Sequence, residues 1–167
     1  MLRYRHPGVV RRLRHELGYG GREGLAIFLD LLRFLWLSVQ HHRLREAESP
    51  AVAELPELKM AACWQPLDDA WHVFLLYSRD YERFCRFHFG VLIAHVPETA
   101  PRRGASRQAQ VERLPAEWAK RFRAFAAPQI GARATTRLIE GYPRRFSRQA
   151  LFRRRLRALR ARYGNGS

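Results

Sequence analysis

A chain of 167 residues, 47% of them apolar, is long enough to bury one hydrophobic core and short for two, so a largely unfolded polar chain is excluded. Thirty-one basic residues face fifteen acidic ones, a net charge of +16, and every basic residue except Lys59 and Lys120 is arginine. That balance bears on partners, not on fold: nucleic acid, an anionic membrane and an acidic protein all suit it.

The charge is unevenly placed. Residues 1–50 hold nine basic and five acidic residues, residues 51–100 hold four and seven, and residues 101–167 hold eighteen and three. Met1 to Arg14 alternates basic and apolar residues without the continuous apolar core of a signal peptide. With only Cys63 and Cys85, the reading is a cytoplasmic protein whose thiols are free, although counting alone leaves a Cys63–Cys85 disulfide open.

In chain order, Pro7 suits a first helical turn, Val9, Val10, Leu13 and Leu17 recur at helical spacing, and Gly18, Gly20 and Gly21 end that helix. A second, long helix is predicted from about Glu23 to Arg45. Within it Leu25 to Val39 is apolar on nearly every face, but it is interrupted by Asp30 and Arg33 and falls short of the roughly 20 residues that span a bilayer. It reads as a buried central helix, so no transmembrane segment is expected. At its end, His41 and His42 place positive charge near the negative pole of the helix dipole.

Glu48 to Gln65, with Pro50 and Pro56, reads as short turns. Asp68 is a natural N-cap for a third helix carrying Trp71, His72, Leu75 and Leu76. Ser78 resembles a second cap, opening a helix with Tyr81, Phe84, Cys85 and His88 that ends at Gly90. Val91 to Ile93 fits helix or extended chain. Val96 to Arg113 has linker composition. Pro115 opens a helix with Trp118, Phe122 and Phe125 on one face, which Pro128 closes. After Pro143, Ser147 can cap a last helix bearing the stripe Phe152, Leu156, Leu159 and Tyr163 among its arginines. Strand signals are weak, and the fold class that follows is all-α, a single-domain helical bundle with a basic C-terminal helix. Residues 1–100 form its core, 101–114 a linker, and 115–167 a basic helical extension.

The densest run of chemically capable side chains is Asp68 to His95. Asp68 and His72 are four apart and share a helix face, as do Tyr81 and Cys85; His88 follows three residues after Cys85. A hairpin about Ser78 would bring them together. Carboxylate, imidazole and thiolate are the ligands of a transition metal such as zinc or iron, which nominates Asp68, His72, Cys85 and His95, with His88 as a further candidate and Trp71 and Tyr81 lining the pocket. The same groups suit a thiol nucleophile with an imidazole base. Each also has a plain structural reading: Asp68 as a cap, His72 as a satisfied core histidine, Cys85 as a small buried hydrophobe, His88 on a solvated face, His95 as a loop anchor. No HExxH, CxxC, GxGxxG or Walker pattern accompanies them.

Asp68, Trp71, His72, Tyr81, Cys85, Gly90, His95 and Pro97, in that order, resemble the glycine-rich domain-containing protein-like family over about 30 residues. The resemblance implies a helical domain of mostly unassigned activity and points again to the Asp-His-Cys-His set. It does not extend beyond about residue 100, and the glycine-rich segment of larger members is absent from this sequence.

The basic end has three readings. Arg144, Arg145, Arg148, Arg153, Arg154, Arg155, Arg157 and Arg160 can neutralise phosphates, giving salt-sensitive nucleic-acid binding. They can sit on anionic lipid while the apolar stripe dips into the interface, a peripheral membrane contact, or they can recruit an acidic protein. The plainer alternative is a helix that packs its stripe on the core and leaves its arginines in water. Helical spacing of the aromatic residues favours packing over base stacking. The function expected overall is that of a small basic binding or accessory protein with a metal pocket. A nucleic-acid adaptor and a metal-dependent enzyme are the alternatives.

Overall fold

A computed structural model describes residues 1, 3–47, 50–58, 60–95 and 114–164. The fold is all-α, with no strand among the described residues. Most of the expected linker, with Pro97, Pro101, Gly104 and Ser106, lies outside them.

Helix α1 (Pro7–Leu17) begins behind His6, whose Nδ1 accepts from the Val9 amide at 3.1 Å, and it ends at Gly18 in the left-handed region, φ 72°. Glycine is needed there twice over, because a Cβ would also meet the Ala158 side chain at 3.2 Å. Helix α2 (Gly21–Glu46) is the axis of the bundle: Ile27, Phe28, Leu31, Leu32 and Leu35 are all buried. At 26 residues it exceeds the apolar core seen in the sequence, and by length and composition it is able to cross a membrane. Of that apolar stretch 56% is buried within the fold, against neighbouring helices.

After 3₁₀ turns at Pro50–Glu54 and Ala62–Trp64 come helices α3 (Gln65–Leu75) and α4 (Ser78–Phe89), joined by a break of two residues. Here the caps differ from expectation. Helix α3 starts three residues before Asp68, behind Trp64, because Pro66 fits its first turn; Asp68 is therefore inside the helix, not its cap. Tyr77, not Ser78, is the cap of α4. Val91 to His95 leave the helix at Gly90, which has φ 77°.

Helix α5 (Ala116–Ile130) runs through Pro128, which ends nothing; the chain turns at Gly131. Helix α6 (Ala132–Thr136), a π-helical turn at Arg137–Gly141 and helix α7 (Tyr142–Arg145) follow, and Ser147 caps helix α8 (Arg148–Tyr163) by accepting from the Ala150 amide at 3.3 Å. Residues from both ends of the chain share one core. Trp64 is its pivot: its ring lies 5.6 Å from Phe34, 5.6 Å from Trp118 and 5.4 Å from Phe122, and its indole N–H donates to the Leu138 carbonyl at 2.8 Å.

Three carboxylates of the first half fasten the second. Asp30, 1% exposed on α2, accepts from the Arg137 guanidinium at 2.6 and 2.7 Å, from Arg33 at 2.8 Å and from the Tyr142 hydroxyl at 3.2 Å. Glu23, at the start of α2, accepts from Arg154 at 2.7 and 3.2 Å and lies 2.9 Å from Arg145. Asp69 on α3 accepts from Arg155 at 2.6 Å and from the Tyr19 hydroxyl at 2.8 Å. A buried carboxylate is tolerated only when its lone pairs are taken.

These bonds set the rotation of α8, and the result is opposite to the plainer reading of this helix, in which the stripe packs on the core. Leu151, Arg154 and Ala158 face the body, whereas Phe152 (66%), Leu156 (36%), Leu159 (51%) and Tyr163 (68%) are exposed. The stripe is thus not core. The guanidiniums of Arg154 and Arg155, nominated for phosphate, are held by Glu23 and Asp69.

Replacing Asp30 by Asn leaves Arg33 and Arg137 without their counter-charge and lowers unfolding stability by about 3 kcal/mol, the low end for a broken buried pair because Arg137 is partly exposed. Urea unfolding measures this, and an unchanged midpoint would show that Asp30 does not join the halves.

Candidate functional site

Asp68, His72 and His95 offer ligand atoms that all lie within 4.8 Å of one another. Helical spacing puts the Asp68 and His72 side chains one turn apart on α3. Oδ2 of Asp68 lies 3.4 Å from Nδ1 of His72, and Oδ1 lies 3.1 Å from Nε2 of His95. The two imidazole rings are 4.4 Å apart. His72 is the open side of the group at 55% exposure; His95, at 11%, is its floor.

His95 reaches the site from beyond α4, and its place is set by a relay of hydrogen bonds. The Trp71 indole N–H donates to the Tyr81 hydroxyl at 3.0 Å, and that hydroxyl donates to the Ile93 carbonyl at 2.7 Å. The segment after Gly90 is thereby tied to α3, and the His95 ring meets Trp71 edge-on at 4.5 Å. Trp71 and Tyr81 support the site as expected, acting through position and not as ligands. Burial raises the Tyr81 hydroxyl well above its ordinary value, so it stays a donor.

Two of the nominated ligands lie outside the group. Cys85 is fully buried on α4 beside Tyr81 and the Ile93 backbone, and burial pushes its thiol up. His88, three residues on, packs against Phe84 at 4.7 Å and Tyr4 at 6.3 Å, where burial favours the neutral ring. Sharing a helix face brought Cys85 to Tyr81 but not to the carboxylate. Cys63 is free and buried as well, its thiol pushed up to about 11 by burial, so both cysteines are single thiols. His41 also departs from expectation: half-buried against Phe125 and 2.9 Å from the Pro56 carbonyl, it is shifted by burial toward the neutral form instead of placing charge at the helix end.

Gln65 is a site residue the sequence reading missed. Its amide donates to Asp68 at 3.1 Å and to Asp69 at 3.2 Å, linking the His-flanked carboxylate to the one that holds Arg155. Its spacing of three and four residues to two adjacent acids was the available signal.

The nominated arginines divide. Arg144 and Arg145 meet Glu140 and Glu23, Arg154 and Arg155 meet Glu23 and Asp69, and Arg153 donates to Gln149. Arg148 is also engaged. Arg157 and Arg160 have no acidic partner among the described residues.

A raised, inaccessible thiol is a poor nucleophile. Native protein is predicted to react with a soluble alkylating reagent at least about a hundredfold more slowly than urea-unfolded protein. Alkylation of Cys85 at the rate of a free thiol before unfolding would restore the nucleophile reading.

Comparison with curated proteins finds no match, and comparison with solved structures finds none. The UCP032817-like family model matches residues 51–139, over half of the chain. That span contains Asp68, His72 and His95 and runs on through α5 and α6. The finding overturns the resemblance to the glycine-rich domain-containing protein-like family, which no match supports and which rested on eight ordered residues within a short segment. The chain belongs to the UCP032817-like family.

Proposed function

We propose that the protein binds a divalent transition metal, zinc or iron(II), through Asp68, His72 and His95, and acts as a metal-dependent binding or accessory protein. One observation carries the reading: a single carboxylate flanked by two imidazole nitrogens at 3.1 and 3.4 Å. Ligands held about 2.0–2.2 Å from one zinc ion subtend separations of that size at tetrahedral angles. The two contacts of Asp68 support the reading; to complete the set the exposed His72 side chain, whose Nδ1 also lies 2.9 Å from the Asp68 carbonyl, turns toward the ion. Two histidines and a carboxylate leave coordination positions open for water or another ligand. Gln65, donating to Asp68, orients the carboxylate from outside the set.

A metal-dependent enzyme is the second reading, favoured by the exposure of His72, which leaves the open side accessible. Water on a metal in that position would be activated for attack on an electrophile. The thiol plays no part in either reading.

His72→Ala tests the site without disturbing the core, because His72 is solvent-facing. After loading with zinc and removal of free ions, wild-type protein is predicted to retain about one equivalent and the variant to lose at least about tenfold in affinity, by calorimetry and elemental analysis. Acidification is predicted to release the metal, because protons compete for the same ligand atoms. Equal retention by both proteins, or none by the wild type, contradicts the assignment.

A further inference from the structure

We propose that the outer face of α8 docks on an anionic phospholipid surface. Phe152, Leu156, Leu159 and Tyr163 fall within about 60° of one another around the helix and mark a line about 17 Å long on its exposed side. Arginines border the line. Arg153 and Arg160 lie on one flank, Arg155 and Arg162 on the other. The ion pairs of Glu23 with Arg154 and of Asp69 with Arg155 hold the helix in this rotation, so the stripe is presented by the fold.

Charge complementarity identifies the occupant. Next to α8, a groove of about 730 Å³ against the end of α1 carries Arg14, Arg154, Arg157 and Arg162 on its walls beside one acid, Glu16. A surface this cationic repels a second copy of itself and attracts an anionic one. Nucleic acid meets the charge requirement but leaves Leu156 and Leu159, the middle of the line, against phosphate or water. At a bilayer the same leucines and rings enter the acyl boundary while the arginines reach the phosphate level. The lipid surface satisfies both halves of the pattern.

The test is sedimentation of the full chain with vesicles of phosphatidylcholine alone or with about a third phosphatidylserine. Beside the wild type run Leu156→Ser/Leu159→Ser, which keeps the charge, Arg157→Gln/Arg160→Gln, which touches no described ion pair, and Leu76→Ser, an exposed leucine elsewhere. Circular dichroism confirms that each is folded. The proposal expects binding to phosphatidylserine vesicles only. It expects a loss of at least about tenfold in both double variants and no loss in Leu76→Ser. In parallel, retention on duplex DNA is expected to be unaffected by the two serines. Binding that survives the loss of both leucines would overturn the proposal in favour of a purely electrostatic contact. Salt-sensitive duplex binding without vesicle binding would overturn it in favour of nucleic acid, and absence of both would overturn it outright.

Discussion

The carboxylates of Glu23, Asp30 and Asp69 are the constraint on which this architecture rests. Each belongs to the first half of the chain, is shielded from water, and is matched by guanidinium groups that arrive from beyond residue 130. A buried acid without such a partner would be strongly destabilising, so the basic second half has no freedom to leave. Part of the arginine excess is therefore structural. The remainder, including Arg157 and Arg160, faces solvent and is free to act on a partner.

The same constraint reaches the His-flanked carboxylate. Asp69 holds Arg155 and accepts from Gln65, and Gln65 in turn donates to Asp68. On the other side, Trp71 and Tyr81 fix the segment that carries His95. Two local devices thus hold Asp68 and His95 in place, one from α3 and one from α4, whereas His72 is exposed and, among the described residues, bonded only to Asp68, through its carbonyl at 2.9 Å. On the proposed metal reading, that arrangement would admit an ion from the His72 side without opening the core.

What the sequence disclosed follows its physics closely. Helical periodicity located α1, α2 and α8 within a few residues, and the four-residue step from Asp68 to His72 placed those two side chains together. His95 joined them because Gly90 turns the chain back. Cys85 and His88 misled because spacing along a helix fixes direction, not depth: on α4 the first lies in the core and the second against Tyr4. The cap at Asp68 failed because Pro66 lets the helix begin earlier. The stripe of α8 left both core packing and exposure open, because amphipathicity says which residues share a face, not which face is turned inward. That choice was made by Arg154 and Arg155 finding Glu23 and Asp69 more than 80 residues away, a pairing that no local pattern encodes.

Hydrogen exchange on a Glu23→Gln/Asp69→Asn variant tests most directly whether these acids hold α8 against the body. The amides of α8 are predicted to exchange at least about tenfold faster than in the wild type, while Ile27 to Leu37 of α2 keep their protection. Unchanged protection in α8, or an equal loss throughout the bundle, would contradict the account.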